Sequence, residues 1–339
     1  METIRLGRTN IIAARSGFGA LPIQRISRED AAAILRSAYN GGVNFFDTAR
    51  AYTDSEEKLG YALSDVRNHI FLATKTAAKD KKGLLKDLET SLRLLRTDHI
   101  DIFQLHNPSE LPDYDDPDSL YGGLLEAKQK GYIRFLGLTN HRLSLAEQAV
   151  RDGRFDCIQF PFSSLSSDED AKLPALCQEN DIGFLAMKGM SGGLITNAAS
   201  TFAFLRQFDN VLPLWGIQRQ RELDEFFSYE KNPPKLDEAM WKIIRKDRLE
   251  LAGTFCRGCG YCQPCPAGIP IETAARISLL LTRSPWQQYM TDEFKAQMER
   301  INGCTHCNHC KNHCPYGLDT PNLLKYMLGQ YNQFYAEHA

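Results

Sequence analysis

Cysteine is distributed very unevenly along this chain. Of its ten cysteines, eight fall between Cys256 and Cys314, whereas Cys157 and Cys177 lie alone in the preceding region. The N-terminal stretch has no apolar signal-peptide core, so we expect a cytoplasmic protein in which crowded thiols bind metal rather than form disulfides. The change in composition predicts two domains, residues 1–240 and 241–339.

The eight crowded cysteines form two runs that share one spacing rule. Each run places three cysteines two residues apart and ends in Cys-Pro, with these members: Cys256, Cys259, Cys262 and Cys265 in the first, and Cys304, Cys307, Cys310 and Cys314 in the second. The second run reproduces the C-x2-C-x2-C-x3-C-P pattern of bacterial ferredoxins, and the first is one residue short in its last gap. Structural zinc sites, the alternative, usually use two separated Cys pairs.

In two-cluster ferredoxins, the cysteine before proline binds the other cluster. Applied here, Cys314 joins the first run and Cys265 joins the second, which predicts two [4Fe–4S] clusters. The shortened gap between Cys262 and Cys265 keeps a single cluster open as an alternative. Helical stretches at 269–283, 292–303 and 321–337 predict a mainly α-helical iron–sulfur domain, which resembles the α-helical ferredoxin domain.

The region before the cysteines alternates apolar runs with amphipathic helices. Eight runs have the composition of strands covered on both faces: 14–21, 42–49, 69–76, 100–106, 133–140, 157–162, 182–188 and 211–216. Eight strand–helix repeats predict an α/β fold of the (β/α)8, or TIM barrel, type. A doubly wound sheet is the alternative, although Gly17-Phe18-Gly19 is too short a match to its glycine-rich loop. Residues 4–10 predict a hairpin that closes the barrel floor.

Polar side chains stand at the ends of three neighbouring strands. Asp47 ends the second strand and Tyr52 follows five residues later, Lys75 is near the end of the third, and His106 ends the fourth. Because TIM-barrel active sites lie at the C-terminal ends of the strands, we expect these four side chains to meet.

Their chemistry is that of a general acid. A tyrosine hydroxyl has a pKa of about 10, and a neighbouring lysine ammonium is expected to lower that pKa. A buried Asp47 would hold Lys75 charged, and His106 would donate a hydrogen bond to a carbonyl oxygen or relay a proton. Tyr52 would then protonate an alkoxide as hydride arrives at carbon.

Three stretches carry these residues: GVNFFDTARAYTDSEEKLGYAL, LATKT and FQLHNP. They resemble the signature stretches of the aldo-keto reductase superfamily over about residues 3–235. The resemblance implies that Asp47, Tyr52, Lys75 and His106 form that family's catalytic tetrad. The run CRGCGYCQPCP, which spans Cys256 to Pro266, is similar to that of a subgroup with a C-terminal [4Fe–4S] domain.

The resemblance also implies NAD(P)H as the cofactor. Thr139, Asn140 and Gln159 match the residues that hold the nicotinamide carboxamide in that family. Met187 stands near the end of the seventh strand, where many members place an aromatic residue against the nicotinamide.

The stretch from Gly216 onward resembles the segment that grips the 2′-phosphate of NADPH in that family. Arg219 and Arg221 are candidates for that contact, whereas a carboxylate at Glu222 would repel a phosphate. The sequence leaves the choice between NADP and NAD open.

The leading interpretation is therefore an oxidoreductase that reduces a small-molecule carbonyl or oxidises an alcohol, coupled to iron–sulfur electron transfer. One alternative is a flavin-dependent barrel supplied with single electrons through the clusters, with a ferredoxin-type carrier as a partner. A non-catalytic redox sensor or accessory subunit is the other. Forty basic and 42 acidic residues give a formal net charge of −2, so nucleic acid is not an expected partner. The longest apolar runs, such as 277–281, are too short to span a bilayer, so a membrane is not expected either.

Overall fold

The protein consists of two compact units along the chain. The computed structural model describes residues 1–251, 255–283 and 286–338. Unit 1 contains residues 1–189 and 199–237, and unit 2 contains residues 190–198 and 238–339. The limits predicted from composition, 1–240 and 241–339, stay a prediction about which parts fold independently.

Unit 1 begins with an antiparallel hairpin of β1 (Thr3–Arg5) and β2 (Ile12–Ala14). Its buried side chains, among them Leu6 and Ile11, belong to one apolar cluster with Phe45, Ala73 and Ile102 of the barrel strands. The hairpin therefore covers one end of the barrel, as the sequence predicted.

Eight parallel strands close into a barrel in the order β10-β3-β4-β5-β6-β7-β8-β9. They are β3 (Gly17–Gly19), β4 (Phe45–Asp47), β5 (Phe71–Thr76), β6 (Ile100–His106), β7 (Ile133–Thr139), β8 (Cys157–Pro161), β9 (Gly183–Met187) and β10 (Val211–Gly216). This arrangement confirms the predicted (β/α)8 barrel and excludes the doubly wound sheet.

Helices follow the barrel strands along the chain. They are α1 (Arg28–Asn40), α2 (Ser55–Leu63), α3 (Lys81–Leu95), α4 (Leu120–Gln129), α5 (Leu143–Asp152), α6 (Lys172–Glu179), α7 (Ala198–Leu205) and α8 (Gln220–Lys231). Helix α3 is representative: the Asp80 side chain accepts from the Gly83 N–H at its start, and Arg96 takes a left-handed conformation at its end.

The interior of the barrel unit is apolar and closely filled. Leu84, Leu88 and Leu95 form the buried stripe of α3. Cys157 on β8 and Cys177 on α6 are fully buried, and burial raises the pKa of both thiols. Both are therefore packing residues, as expected for isolated cysteines in this region.

Unit 2 is helical within its described residues. It contains α9 (Glu238–Glu250), α10 (Ile271–Ala274), α11 (Ile277–Arg283), α12 (Asp292–Glu299), α13 (His309–Asn312) and α14 (Thr320–His338). The stretch predicted as one helix over 269–283 is two helices, and α12 ends in a 3-10 turn at Arg300–Gly303. In the described parts of the chain, no helix combines the length and apolarity needed to cross a membrane.

Candidate functional site

A buried ion pair lies where β4 and β5 end. Lys75 Nζ donates to the two carboxylate oxygens of Asp47 at 2.7 and 2.6 Å, and to the Thr48 carbonyl at 2.6 Å. Both side chains are buried. Burial raises the pKa of Asp47 and lowers the pKa of Lys75, and the close contact between the two groups opposes both shifts by favouring their charged forms.

Two glutamines complete the surroundings of the Asp47 carboxylate. Gln104 Nε2 donates to Oδ1 at 3.3 Å, and Gln159 Nε2 donates to Oδ2 at 3.2 Å. The Oε1 atom of each glutamine is buried and has no hydrogen-bond donor among the residues that the structure describes. Because a buried acceptor without a donor is costly, these oxygens are suited to receive a ligand N–H.

The loop that carries Tyr52 is tied to the barrel wall. The Arg50 N–H donates to the Lys75 carbonyl at 2.9 Å, and the Arg50 side chain forms an ion pair with Glu56. Thr74 and Ser91 each donate to Glu56 Oε1 at 2.7 Å. These bonds hold the short segment between Asp47 and α2, and with it the backbone of Tyr52.

Tyr52, Lys75 and His106 come together at the C-terminal ends of their strands. Lys75 Nζ lies 5.3 Å from the centre of the Tyr52 ring. The Tyr52 and His106 rings have centroids 6.0 Å apart and meet edge to face at 82°. The four residues that the sequence singled out as a catalytic set are thus neighbours in space.

The pKa of Tyr52 moves opposite to the sequence-based expectation. Burial raises it, and the Asp47 charge raises it further. The expected lowering by Lys75 is wrong for this structure, because burial and the Asp47 carboxylate both favour the protonated phenol. Tyr52 therefore carries its proton throughout the neutral range.

His106 is neutral for a related reason. Burial, followed by the charge of Lys75, lowers the pKa of His106 to about 3. A neutral imidazole donates one hydrogen bond and accepts another, so His106 is suited to orient a substrate oxygen.

The residues predicted to hold the nicotinamide lie at neighbouring strands, and they differ in how many of their polar atoms are already hydrogen-bonded within the protein. Thr139 Oγ1 points at Met187 Sδ, 3.8 Å away. Asn140 is engaged by two loops: its Nδ2 donates to the Pro108 carbonyl in the loop after β6 at 3.0 Å, and its Oδ1 accepts from the Arg142 N–H in its own loop at 2.8 Å. Gln159, with its buried Oε1, is the best placed of the set to meet a carboxamide.

Glu222 stabilises the first turn of α8. Its Oε2 atom accepts from the backbone N–H groups of Gln218 and Arg219 at 2.9 and 3.2 Å. The other carboxylate oxygen lies 3.7 Å from the Arg219 guanidinium. Gly216 and Arg221 are exposed nearby. A carboxylate thus already occupies the helix N-terminus, where backbone N–H groups favour an anion.

The eight crowded cysteines line two cavities in unit 2. One cavity is lined by Cys256, Cys259, Cys262 and Cys314. The other is lined by Cys265, Cys304, Cys307 and Cys310, with Cys262 at its edge. None of the eight forms a disulfide. Each group of four combines three cysteines of one run with the Cys-Pro cysteine of the other, and four thiolates are what a [4Fe–4S] cluster needs.

Comparison with known proteins identifies both regions. The Aldo/keto reductase family profile matches residues 15–245, and the 4Fe-4S dicluster domain profile matches residues 255–319. The chain therefore belongs to the aldo/keto reductase family. It is an oxidoreductase of that family with a C-terminal 4Fe-4S domain.

Individual relatives match more than half of the chain. The "Uncharacterized oxidoreductase YqkF" of Bacillus subtilis is 29% identical over 210 residues, which are 58% of this chain and 67% of the relative. The "NADH-specific methylglyoxal reductase" of Escherichia coli is 27% identical over 226 residues, 58% of this chain and 69% of the relative. An aldo-keto reductase of Klebsiella pneumoniae, solved in complex with NADPH, has the same fold, with a TM-score of 0.63 at 20% identity over 73% of this chain and 95% of the other.

Two residues of the site were not anticipated from the sequence. Gln104 lies two residues before His106 on β6 and binds Asp47, and strand alternation places residues two apart on one face. Glu56 is a fully buried carboxylate on α2. The two-residue spacing between Gln104 and His106 on one strand could have predicted that Gln104 faces the site. Nothing in the sequence marks Glu56 as buried.

Proposed function

We propose that the barrel reduces a small-molecule carbonyl, or oxidises the corresponding alcohol, with Tyr52 as the proton donor. The observation that carries this proposal is the meeting of Tyr52, His106 and the Asp47–Lys75 pair at the C-terminal ends of adjacent strands. This is the end of the barrel at which enzymes of this fold carry out their chemistry.

Tyr52 supplies the proton at the carbonyl oxygen. Because its raised pKa keeps it protonated, Tyr52 Oη–H is ready to donate as negative charge develops on that oxygen. The phenolate left behind faces Lys75, whose ammonium favours the negative charge at that moment. In the alcohol-oxidising direction, the same proton returns to Tyr52.

His106 and the glutamines have supporting roles. Neutral His106 donates a hydrogen bond to the carbonyl oxygen and so fixes its position beside Tyr52. Gln104 and Gln159 hold the Asp47 carboxylate in the orientation that receives Lys75. Without those contacts the buried ion pair would lose part of its compensation for desolvation.

A nicotinamide dinucleotide fits the residues present, and it supplies hydride to the carbonyl carbon when bound. The Gln159 Oε1 atom is buried and receives no hydrogen bond from the described residues, so it would accept from the carboxamide N–H. Thr139 and Asn140 would lie beside the carboxamide, and Met187 would lie against the nicotinamide ring. Gly216, Arg219 and Arg221 would lie along the adenosine half. Because Glu222 already neutralises the α8 N-terminus, we expect NADH to be preferred over NADPH.

We further propose two [4Fe–4S] clusters, one held by Cys256, Cys259, Cys262 and Cys314 and the other by Cys265, Cys304, Cys307 and Cys310. The grouping of the thiols around two cavities supports this assignment. Such clusters exchange single electrons, so a ferredoxin-type carrier is the partner that their chemistry fits. We place the protein in the cytoplasm, where thiols stay reduced.

The substrate class is a small aldehyde or ketone. The Escherichia coli relative is named as a methylglyoxal reductase, and methylglyoxal is therefore the first compound to assay. Other small dicarbonyls and aldoses complete a first panel.

A pair of tyrosine variants tests the proposal. Under argon, with NADH and each panel compound, Tyr52→Phe should lower kcat by about 10²–10⁴-fold because it removes the general acid. Tyr61→Phe is the matched control, since Tyr61 is 41% exposed on α2 and should retain wild-type turnover. Turnover by Tyr52→Phe equal to that of Tyr61→Phe would refute the assignment of the proton donor.

A further inference from the structure

The two cysteine cavities differ in the residues that surround them. The cavity of Cys265, Cys304, Cys307 and Cys310 reaches the surface, since Cys307 is exposed. The cavity of Cys256, Cys259, Cys262 and Cys314 is more enclosed, since Cys256 and Cys262 are buried. An arginine from a different part of the unit lies against the loop of this enclosed cavity.

Arg276, between α10 and α11, lies against that loop. An ideal Cβ on Gly258 would lie 2.7 Å from Arg276 Cζ, so the guanidinium occupies the space that a side chain at 258 would need. Gly258 stands between Cys256 and Cys259, and its N–H donates to Cys256 Sγ at 3.4 Å. The guanidinium is therefore in contact with the backbone that binds a cluster thiol.

Arg276 also binds the segment 190–198, which belongs to the same unit. Arg276 Nη1 donates to the Gly192 carbonyl at 3.1 Å. Gly192 has a φ of +67° and Gly258 a φ of +60°, a left-handed backbone that glycine adopts without strain. Two glycines thus allow one guanidinium to lie between the cysteine loop and a segment that follows β9 in the chain.

The charge of Arg276 is not neutralised by the protein around it. Within residues 1–251, 255–283 and 286–338, no carboxylate forms an ion pair with Arg276, and its Nε atom is buried without a hydrogen-bond acceptor. Arg257, the other arginine nearby, has its guanidinium 4.9 Å from the centre of the Tyr316 ring. Arg276 is thus a partly buried cation beside the cysteine loop.

We propose that Arg276 is a positioning residue that ties the Cys256–Cys259 loop to the segment 190–198 and raises the reduction potential of the cluster held by Cys256, Cys259, Cys262 and Cys314. Each one-electron reduction, from a one-electron donor such as dithionite, adds one negative charge to that cluster. A fixed cation beside the loop favours the more negative state, and charge near a cluster is one of the features that set its potential. The inference rests on the proposed two-cluster occupancy.

The experiment is an anaerobic redox titration of the full-length holoprotein with dithionite, followed by electron paramagnetic resonance. Arg276→Met should make the reduction of one cluster about tenfold less favourable, a shift of about 59 mV to more negative potential for a one-electron couple. The other cluster should keep its potential. Arg276→Lys retains the charge, so that variant should keep most of the wild-type reduction potential.

Arg300→Met is the matched control. Arg300 also donates from Nη1 to a glycine carbonyl of a cysteine loop, that of Gly268 at 3.1 Å, whereas the three atoms nearest an ideal Cβ on Gly258 all belong to Arg276. Loss of Arg300 should leave the potential of the cluster that responds to Arg276 unchanged. If both variants moved the same cluster equally, the effect would be general loosening of the unit, and the proposal would fail.

Iron content separates failure of this inference from failure of the proposed cluster occupancy. About eight irons per chain, with both potentials unchanged in Arg276→Met, would overturn the role of Arg276 alone. About four irons would overturn the two-cluster assignment, and with it the premise of the inference. A purely structural Arg276 would lower stability without moving a potential.

Discussion

The barrel site and the cysteine unit are organised in opposite ways. In the barrel, Asp47 receives hydrogen bonds from Lys75, Gln104 and Gln159, so the site is held by bonds between the protein's own side chains. In the cysteine unit, eight cysteines that form no disulfide line two cavities. The fold alone therefore orders the barrel site, whereas the order of the cysteine unit depends on what its cysteines bind.

The helices of the two regions differ in what stabilises them. Helix α3 has fifteen residues, a capped start and a buried apolar stripe, all of which stabilise it within the barrel. Helices α10 and α13 have only four residues each, too short to be stable without tertiary support. Bound clusters are the support that we infer for them.

Removal of iron is the strongest way to separate the two regions. Chelation under mild oxidation should expose residues 255–338 to protease while residues 1–189 and 199–237 stay resistant, because metal binding and folding are coupled in small metal-binding domains. Mass spectrometry of the fragments measures this difference. Equal resistance of both regions after iron loss would contradict the comparison.

Breaking the Asp47–Lys75 ion pair tests whether the barrel site is held by bonds between the protein's own side chains. Lys75→Met leaves the buried Asp47 without its cation and should lower the free energy of unfolding by about 3–5 kcal/mol. Lys128→Met is the control, because Lys128 pairs with Asp156 at 3.5 Å on the surface and should cost at most about 1 kcal/mol. Urea unfolding followed by tryptophan fluorescence gives both values, and similar values would refute the structural role of the pair.

Glu222 gives a smaller, specific effect in the barrel. Glu222→Arg replaces a carboxylate at the α8 N-terminus with a cation and should raise kcat/KM for NADPH relative to NADH about tenfold, equivalent to ~1.4 kcal/mol. Glu222→Gln removes the charge but keeps an acceptor for the N–H groups of Gln218 and Arg219, and should give an intermediate ratio. An unchanged ratio in both variants would exclude Glu222 from cofactor choice.

The pH profile should show the smallest change. Because burial lowers the pKa of His106 to about 3, the imidazole is neutral over the whole neutral range and charges only as the pH falls through that value. Tyr52, with its raised pKa, stays protonated over the same range. We therefore expect kcat/KM for carbonyl reduction to show no ionisation near the ordinary histidine value of about 6.5. An inflection there that disappears in His106→Gln would contradict this description of the site.

Much of this arrangement was predictable because barrel chemistry follows strand order. Asp47, Lys75 and His106 mark the ends of successive strands, and closing the sheet necessarily brings them together. Strands β3 and β4 are shorter than predicted, since Ala14 belongs to the hairpin and Thr48 already to the loop. The burial of Glu56 and Lys58 was not predictable, because seven of the nine residues of α2 are buried and the helix has no clear amphipathic pattern.

The pKa of Tyr52 was not predictable from sequence for a physical reason. The sequence places a lysine near a tyrosine, but the direction of the pKa shift depends on how deeply Tyr52 is buried and on the nearby Asp47 carboxylate. Both oxygens of Asp47 bind Lys75 Nζ, and the sequence gives no measure of that distance. The contact of Arg276 with Gly192 and Gly258 is likewise long-range and invisible in local spacing.

Isotope transfer shows whether the barrel moves hydride directly from the nicotinamide to the carbonyl carbon. NADH deuterated at the transferring position of C4 is incubated with holoprotein and a reducible carbonyl under argon, and the alcohol is analysed by mass spectrometry. Direct transfer predicts one deuterium on the carbinol carbon and none in the Tyr52→Phe background within the same time. An alcohol that carries solvent hydrogen at that carbon would mean that the electrons arrive separately from the proton, and would contradict the account.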